Sequence, residues 1–297
     1  MRGHDELVAY LQQLPDDWDS WLVFADALAE AGDARGELLV LEHRLATHPD
    51  PDVRWEADVL ADEWLEAYGY DIGDDNRDAC VWFRDLAPVA ARAPADLAPA
   101  FARPLAQLLA LLATDQDHPH MSPVLALQRE RVIRAMLAWI DRAFDGIPVP
   151  GKNHRTIHQA EAADNHDGCD RSRDHLGRWQ DLPDEHLLVN QWALPHLDGV
   201  GLHYYAPAVM SFALRHPHHE RDTWITQSFE FTLVPSKGDL RAYQESRFER
   251  FDRAQRAAIY AFTRVAGHRD GAAAWQRVFE AERDGERADW FDLFSPR

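Results

Sequence analysis

Sixteen histidines in 297 residues supply most of the groups in this chain able to bind a metal or move a proton near neutral pH. His154 and His158 stand four apart, the spacing that sets two imidazoles on one helical face, as in paired zinc ligands. The stretch reads HRTIH, however, and lacks the glutamate of the zinc-protease helix. A second group follows in Asp164, His166, Asp167, Cys169, Asp170, Asp174 and His175. His154, His158, His166 and His175 are therefore the candidate zinc ligands of a metal-dependent hydrolase or modifying enzyme. Calcium fits less well: aligning Gly168 with the glycine of a calcium loop puts Ala163, which has no side-chain oxygen, at the first ligand. A third group, His216, His218, His219, Glu220 and Asp222, sits beside an expected helix end, where imidazolium groups meet free carbonyls. No known ligand spacing ties these groups together. The favoured expectation is no cofactor, with the histidines in loops and caps.

Other reaction signatures are missing. The chain has no G-x-S-x-G elbow, no phosphate-cradling glycine loop and no Gly-x-Gly-x-x-Gly dinucleotide turn. Cys80, close to Trp82, reads as a small packed residue, and the aspartates around Cys169 disfavour its thiolate. Two cysteines build neither a disulfide framework nor a four-thiolate site. A non-catalytic protein is expected.

Charge narrows the choice of partner. With 51 acidic against 31 basic residues the formal charge is −20, which opposes general binding to nucleic acid, because phosphate contacts rest on cationic side chains. The same field steers a basic protein toward the chain. No leader is evident at the start, and apolar runs such as 105–113 are too short to cross a bilayer. A cytoplasmic location with no membrane partner is the expectation.

Helices must position these groups. In LPDDWDSWLVFADALAEAGDARGELLVLE (14–42), apolar residues at Trp18, Trp21, Leu22, Ala25 and Leu28 make one stripe. Gly32 suits the left-handed residue that ends a helix, and Asp33 can cap the next, whose buried side is Leu38, Leu39, Leu41 and Leu45. A tight helical hairpin results. Asp26, Arg35 and Glu37 form either a bracing ion-pair network within it or part of a partner-binding face. The residues Phe24, Ala25, Asp26, Leu28, Gly32, Asp33, Arg35, Gly36 and Glu37 resemble the bacterial repeat-companion domain over about the first fifty positions, with Ala27 where an aromatic residue is usual. That family has no established catalytic role and heads larger bacterial proteins, so the resemblance implies an accessory module. No repeat array of fixed period follows it.

Prolines at 88, 94, 99 and 104 break the next stretch into short turns, and ATDQDHPHMSP reads as a linker. Two mainly α-helical domains are expected, at 1–115 and 122–297. In the second, Pro123 opens a helix carrying Ile133, Leu137, Ile140 and Phe144. Pro207 is expected to start an apolar central helix, and Phe229, Phe231 and Leu233 alternate as in one short extended segment. Asp252 and Gln255 form a capping box for a helix bearing Ala258, Ile259, Phe262 and Val265. Trp275, Val278 and Phe279 mark a last helix. In the tail, Trp290, Phe291 and Phe294 lie among Asp289 and Asp292, a pattern able to dock in a partner's groove or to fold back on its own core.

The ordered set Ile140, Ala143-Phe144, Trp179-Gln180-Asp181-Leu182-Pro183, Tyr204-Tyr205-Ala206-Pro207-Ala208, Leu214, Phe248 and Gln255-Arg256 resembles a bacterial family of domains of unknown function across about 133–265. Ala206 replaces that family's leucine, which implies looser packing there; the resemblance brings no activity. Composition, missing reaction motifs and the N-terminal likeness together point to an accessory or immunity-type factor that engages a basic protein. The alternatives are the zinc enzyme above and a structural companion subunit of a larger complex.

Overall fold

The computed structural model describes residues 6, 7, 10, 11, 17–33, 35–48, 52, 53, 56, 57, 59, 60, 86–101, 123–168, 171–216, 222–233 and 241–266. The fold is mainly α-helical, and every regular element among the described residues is a helix or a 3₁₀ turn. The elements are α1 (Trp18–Glu30), α2 (Arg35–Thr47), α3 (Ala87–Ala90), α4 (Pro123–Ala143), α5 (Ile157–Asp164), α6 (Asp184–Val189), α7 (Gly199–Arg215), α8 (Asp222–Leu233), α9 (Arg241–Phe248) and α10 (Arg253–Val265). Packing divides the chain into two compact units, 1–91 with 95–132, and 92–94 with 133–297. The expected linker, the last helix at Trp275–Phe279 and the tail residues Trp290, Phe291 and Phe294 lie outside the described residues.

In the first unit α1 and α2 form the hairpin. Asp17 caps α1, accepting from the Ser20 amide at 3.4 Å and the Ser20 hydroxyl at 2.7 Å. Gly32 adopts a φ of +74°, and the Asp33 amide donates back to the Leu28 carbonyl at 2.9 Å, closing the helix as its sequence suggests. Asp33 then accepts from the Arg35 amide at 3.0 Å. Trp21, Phe24, Ala25 and Leu28 of α1 are buried, as are Leu38, Leu39 and Leu41 of α2. The helices cross tightly at Gly36, where a Cβ would lie 2.5 Å from the Ala25 carbonyl oxygen and 2.9 Å from the Ala29 nitrogen. Neither backbone atom can swing aside.

The second unit is built on α7. Eleven of its residues are buried, from Gly201 to Leu214, as a helix apolar nearly all round requires. It begins eight residues before the expected start: Asp198 caps it through the Gly201 amide at 2.8 Å, and Pro207 lies inside it. A side-chain cap at the first turn outweighs the one backbone bond that proline removes. Ala206 is fully buried. On α4 the inward residues are Val132, Ala135, Met136, Trp139, Ile140 and then Phe144, while Ile133 and Leu137 are only half-buried. The capping box of Asp252 and Gln255 is present on α10, and Ala258, Ile259, Phe262 and Val265 are buried as read.

The expected extended segment is instead the end of α8. Phe229 and Leu233 are four apart, a separation that satisfies a strand's alternation and a helix's inner stripe alike. Ile225 and Thr232 complete the helical stripe, and Phe231 is left facing solvent.

Replacing Gly36 by alanine should destabilise the first unit by about 1–3 kcal/mol, through overpacking against rigid backbone. Gly32→Ala, which meets open space but keeps the left-handed backbone, should cost about 1–2 kcal/mol. Urea midpoints of the two variants check this, and an unchanged midpoint for Gly36→Ala would exclude the close crossing.

Candidate functional site

The five-residue turn Leu194-Pro195-His196-Leu197-Asp198 gathers most of the polar chemistry of the second unit. A 3₁₀ turn ends at His196 and α7 starts at Gly199; the Leu194 carbonyl accepts from the Leu197 amide at 3.3 Å and that of Asp198 from the Leu202 amide at 2.8 Å, while the carbonyls of 195–197 fall in the gap between the two helical ladders. Side chains from elsewhere supply them. Arg247 on α9 donates to the Leu194 and Pro195 carbonyls, each at 3.1 Å. Arg155 donates to the His196 carbonyl at 2.8 Å, and the Tyr243 hydroxyl to that of Leu197 at 2.6 Å. Asp198, besides capping α7, accepts from the Arg155 amide at 3.1 Å and lies 3.2 Å from His154 Nδ1. Gly201 completes the joint, because a Cβ there would lie 2.3 Å from the Arg155 carbonyl oxygen.

Arg247 is only 2% exposed, and its guanidinium sits 5.2 Å from the centre of the Tyr243 ring. Burial holds its pKa below the ordinary arginine value, against the opposing pull of Tyr243 and Asp198. Asp198 is also subject to burial, which raises its pKa, but the Gly201 and Arg155 amides and His154 outweigh it and the net shift is downward.

A row of imidazoles lies nearby. Thr156 caps α5 in a reciprocal box with Gln159, and its hydroxyl donates to Asp174 at 2.6 Å, while Arg171 holds the other Asp174 oxygen at 2.8 Å. His158, on the first turn of α5, places Nε2 3.0 Å from Nδ1 of His186 on α6, one ring donating to the other. The His175 ring lies 6.4 Å from that of His186, and its Nε2 faces the Arg178 carbonyl at 3.0 Å. Burial first, and then cationic neighbours, depress both His158 and His186 below the usual imidazole value. Elsewhere, His203 is depressed by burial although it meets the Gln255 oxygen at 2.9 Å.

The expected zinc set does not converge. His154 precedes the Thr156 cap, so it shares no helical face with His158. His166 is exposed with a φ of +58°, and His175 is turned to a carbonyl. Among the described residues no three histidine, cysteine, aspartate or glutamate side chains are grouped to hold an ion. In the hairpin, Arg35 is buried against Asp33, the carboxylate that grips its guanidinium, whereas Asp26 and Glu37 are exposed. The anticipated Asp26, Arg35 and Glu37 cluster is thus divided between a joint and a surface. Sequence reading missed Asp198, Arg155, Tyr243 and Arg247. Asp198 before Gly-Val-Gly carries a cap signal, and Arg247 is a cation inside a core-forming stretch, yet nothing local shows that both meet one turn.

Family-motif residues serve the same bracing. Trp179 Nε1 donates to the Phe144 carbonyl at 2.8 Å and Gln180 to Asp141 at 2.9 Å, fixing the W-Q-D-L-P turn on the end of α4. Arg256 donates to the Phe251 carbonyl at 2.6 Å. The second unit is therefore a helical domain in which these polar residues are joints between segments. Residues 133–283, more than half the chain, match the family of unknown function DUF6714, and the chain belongs to that family. No curated protein and no solved structure matches it. No described helix is long and apolar enough to cross a membrane.

The depressed imidazoles fix a pH dependence. A histidine whose folded pKa lies below its ordinary 6.5 adds stability that is complete above 6.5 and is lost as pH falls below it. Urea unfolding should therefore show stability falling as pH drops below about 6.5, before Asp33 and Asp198, both lowered, lose their own contribution near and below 3.8. His203→Gln should reduce the slope of that decline; an unaltered slope would contradict the role of its burial.

Proposed function

We propose that the chain is a non-catalytic accessory factor, of immunity or companion type, that works by binding a basic protein. The observation that carries the reading is the outward surface of the hairpin. On α1, Val23 is 60% exposed and shares a helical face with the exposed Asp26 and Glu30. On α2, Val40 is 41% exposed, one turn from the exposed Glu37. Apolar side chains ringed by carboxylates suit a partner presenting aliphatic and cationic groups together. The net charge of −20 favours encounter with such a partner.

Two further features support this reading. The hairpin's likeness to the repeat-companion domain is to a module that accompanies other domains and has no known reaction. In the second unit, Asp174, Asp198, Arg247 and the paired histidines each have partners within the fold. Arg35 belongs to the scaffold of the hairpin, and Asp26 and Glu37 are the contact residues.

Calorimetry against the basic products of neighbouring genes tests the proposal. Binding should weaken as salt rises, and Asp26→Lys with Glu37→Lys should lower affinity at least about tenfold, since two charge pairs at an interface rim change sign. Binding indifferent to both salt and the reversal would overturn it. So would stoichiometric zinc in protein purified without chelator, together with loss of that zinc in His154→Ala or His166→Ala.

A further inference from the structure

Seven large apolar side chains stand exposed among the described residues, and four of them belong to α6, α8 and the turn after α6: Val189 at 57%, Trp192 at 50%, Trp224 at 49% and Phe231 at 64%. The rings of Trp192 and Trp224 touch, with centroids 5.1 Å apart and planes inclined at 55°. Each tryptophan thus packs tilted against the other and leaves about half of its surface to water. Phe231 follows Trp224 by two helical turns on the same face of α8, a rise of roughly 10 Å. Glu185 is exposed one turn before Val189 on α6. Asp184 is held by Arg215 at 2.8 Å and by His216 at 3.1 Å, which anchors the start of α6 to the end of α7.

We propose that this strip is a second docking surface, and that its occupant is a cationic amphipathic helix of another protein. The inference rests on the reading of the chain as a binding factor and adds a separate place of contact. The spacing suits a helix: apolar anchors two turns apart on α8, beside a tryptophan pair, match a ligand with apolar residues at i, i+3, i+4 and i+7. Charge selects among occupants. A second copy would bring another −20 to the interface, and an anionic membrane surface would be repelled in the same way, whereas arginine or lysine flanking the apolar face meets Glu185 and the exposed tryptophan faces favourably. Trp192 and Trp224 carry most of the affinity, because paired aromatic anchors at the centre of a contact dominate its energy.

The probe is a synthetic helix with leucine at the anchor positions and arginine elsewhere on its surface, compared with the same peptide carrying glutamate for arginine. Binding is followed by calorimetry and tryptophan emission on the full chain. The expected result is saturable binding of the arginine peptide alone, lowered at least tenfold by Trp192→Ala with Trp224→Ala and weakened by salt. Circular dichroism of that variant should match the parent, because both side chains are half-exposed; loss of helicity would show that the pair is part of the core and overturn the assignment. Equal binding of both peptides, binding unaffected by the double substitution, or parent-chain dimerisation abolished by it would each overturn it as well. Asp26→Lys with Glu37→Lys should leave peptide binding intact, so failure of the hairpin surface and failure of this strip are separately visible.

Discussion

Three consecutive carbonyls, from Pro195 to Leu197, take their donors from side chains of other segments, and the second unit is arranged around meeting that demand. An unsatisfied buried carbonyl costs on the order of 1–3 kcal/mol, so these bonds matter most at the part-buried Pro195 and Leu197. Arginine suits the position of Arg247 because its planar fork reaches two carbonyls together, and it stays charged even where burial lowers its pKa. One buried side chain thereby ties α9 to the start of α7, and Tyr243, one turn earlier on α9, adds a second bond to the same turn. Arg155 and Asp198 attach the segment before α5.

Much of the remaining polar inventory follows from similar demands. Thr156, Asp174 and Arg171 close the loop beneath α5, and Trp179 closes the end of α4. The two histidines that meet at 3.0 Å link α5 to α6 through a proton that one ring must supply to the other. Neutral imidazoles can make that bond, and two facing imidazolium N–H groups cannot, so the linkage belongs to neutral pH. With these groups occupied inside the fold, the features left exposed among the described residues include carboxylates and valines on the hairpin and tryptophans and phenylalanine beside α6 and α8.

Local signals in the sequence revealed the mainly helical fold because caps and stripes act over three to seven residues. Gly32, Asp33, the box of Asp252 and Gln255, and the inner face of α10 all stand where their spacing places them. The misreadings have local causes too. Phe229 and Leu233 fit two periods at once, and Pro207 drew attention from the stronger cap at Asp198. The joint itself was hidden for another reason: Arg155, Asp198, Tyr243 and Arg247 span more than ninety residues, and only tertiary packing brings them to one turn. The exposed tryptophans were equally obscure, since half-exposure of Trp192 and Trp224 depends on how α6 meets α8. The helical face expected to hold both His154 and His158 is interrupted by a cap, for Thr156 starts the helix between them.

The bracing role of the buried guanidinium is tested most directly by amide hydrogen exchange in Arg247→Met, which keeps bulk and removes the donors. Exchange should quicken at residues 196–203, where the turn enters α7, while the amides of α1 and α2 keep their parental rates. Unchanged exchange at 196–203 would contradict the dependence of this fold on that grip.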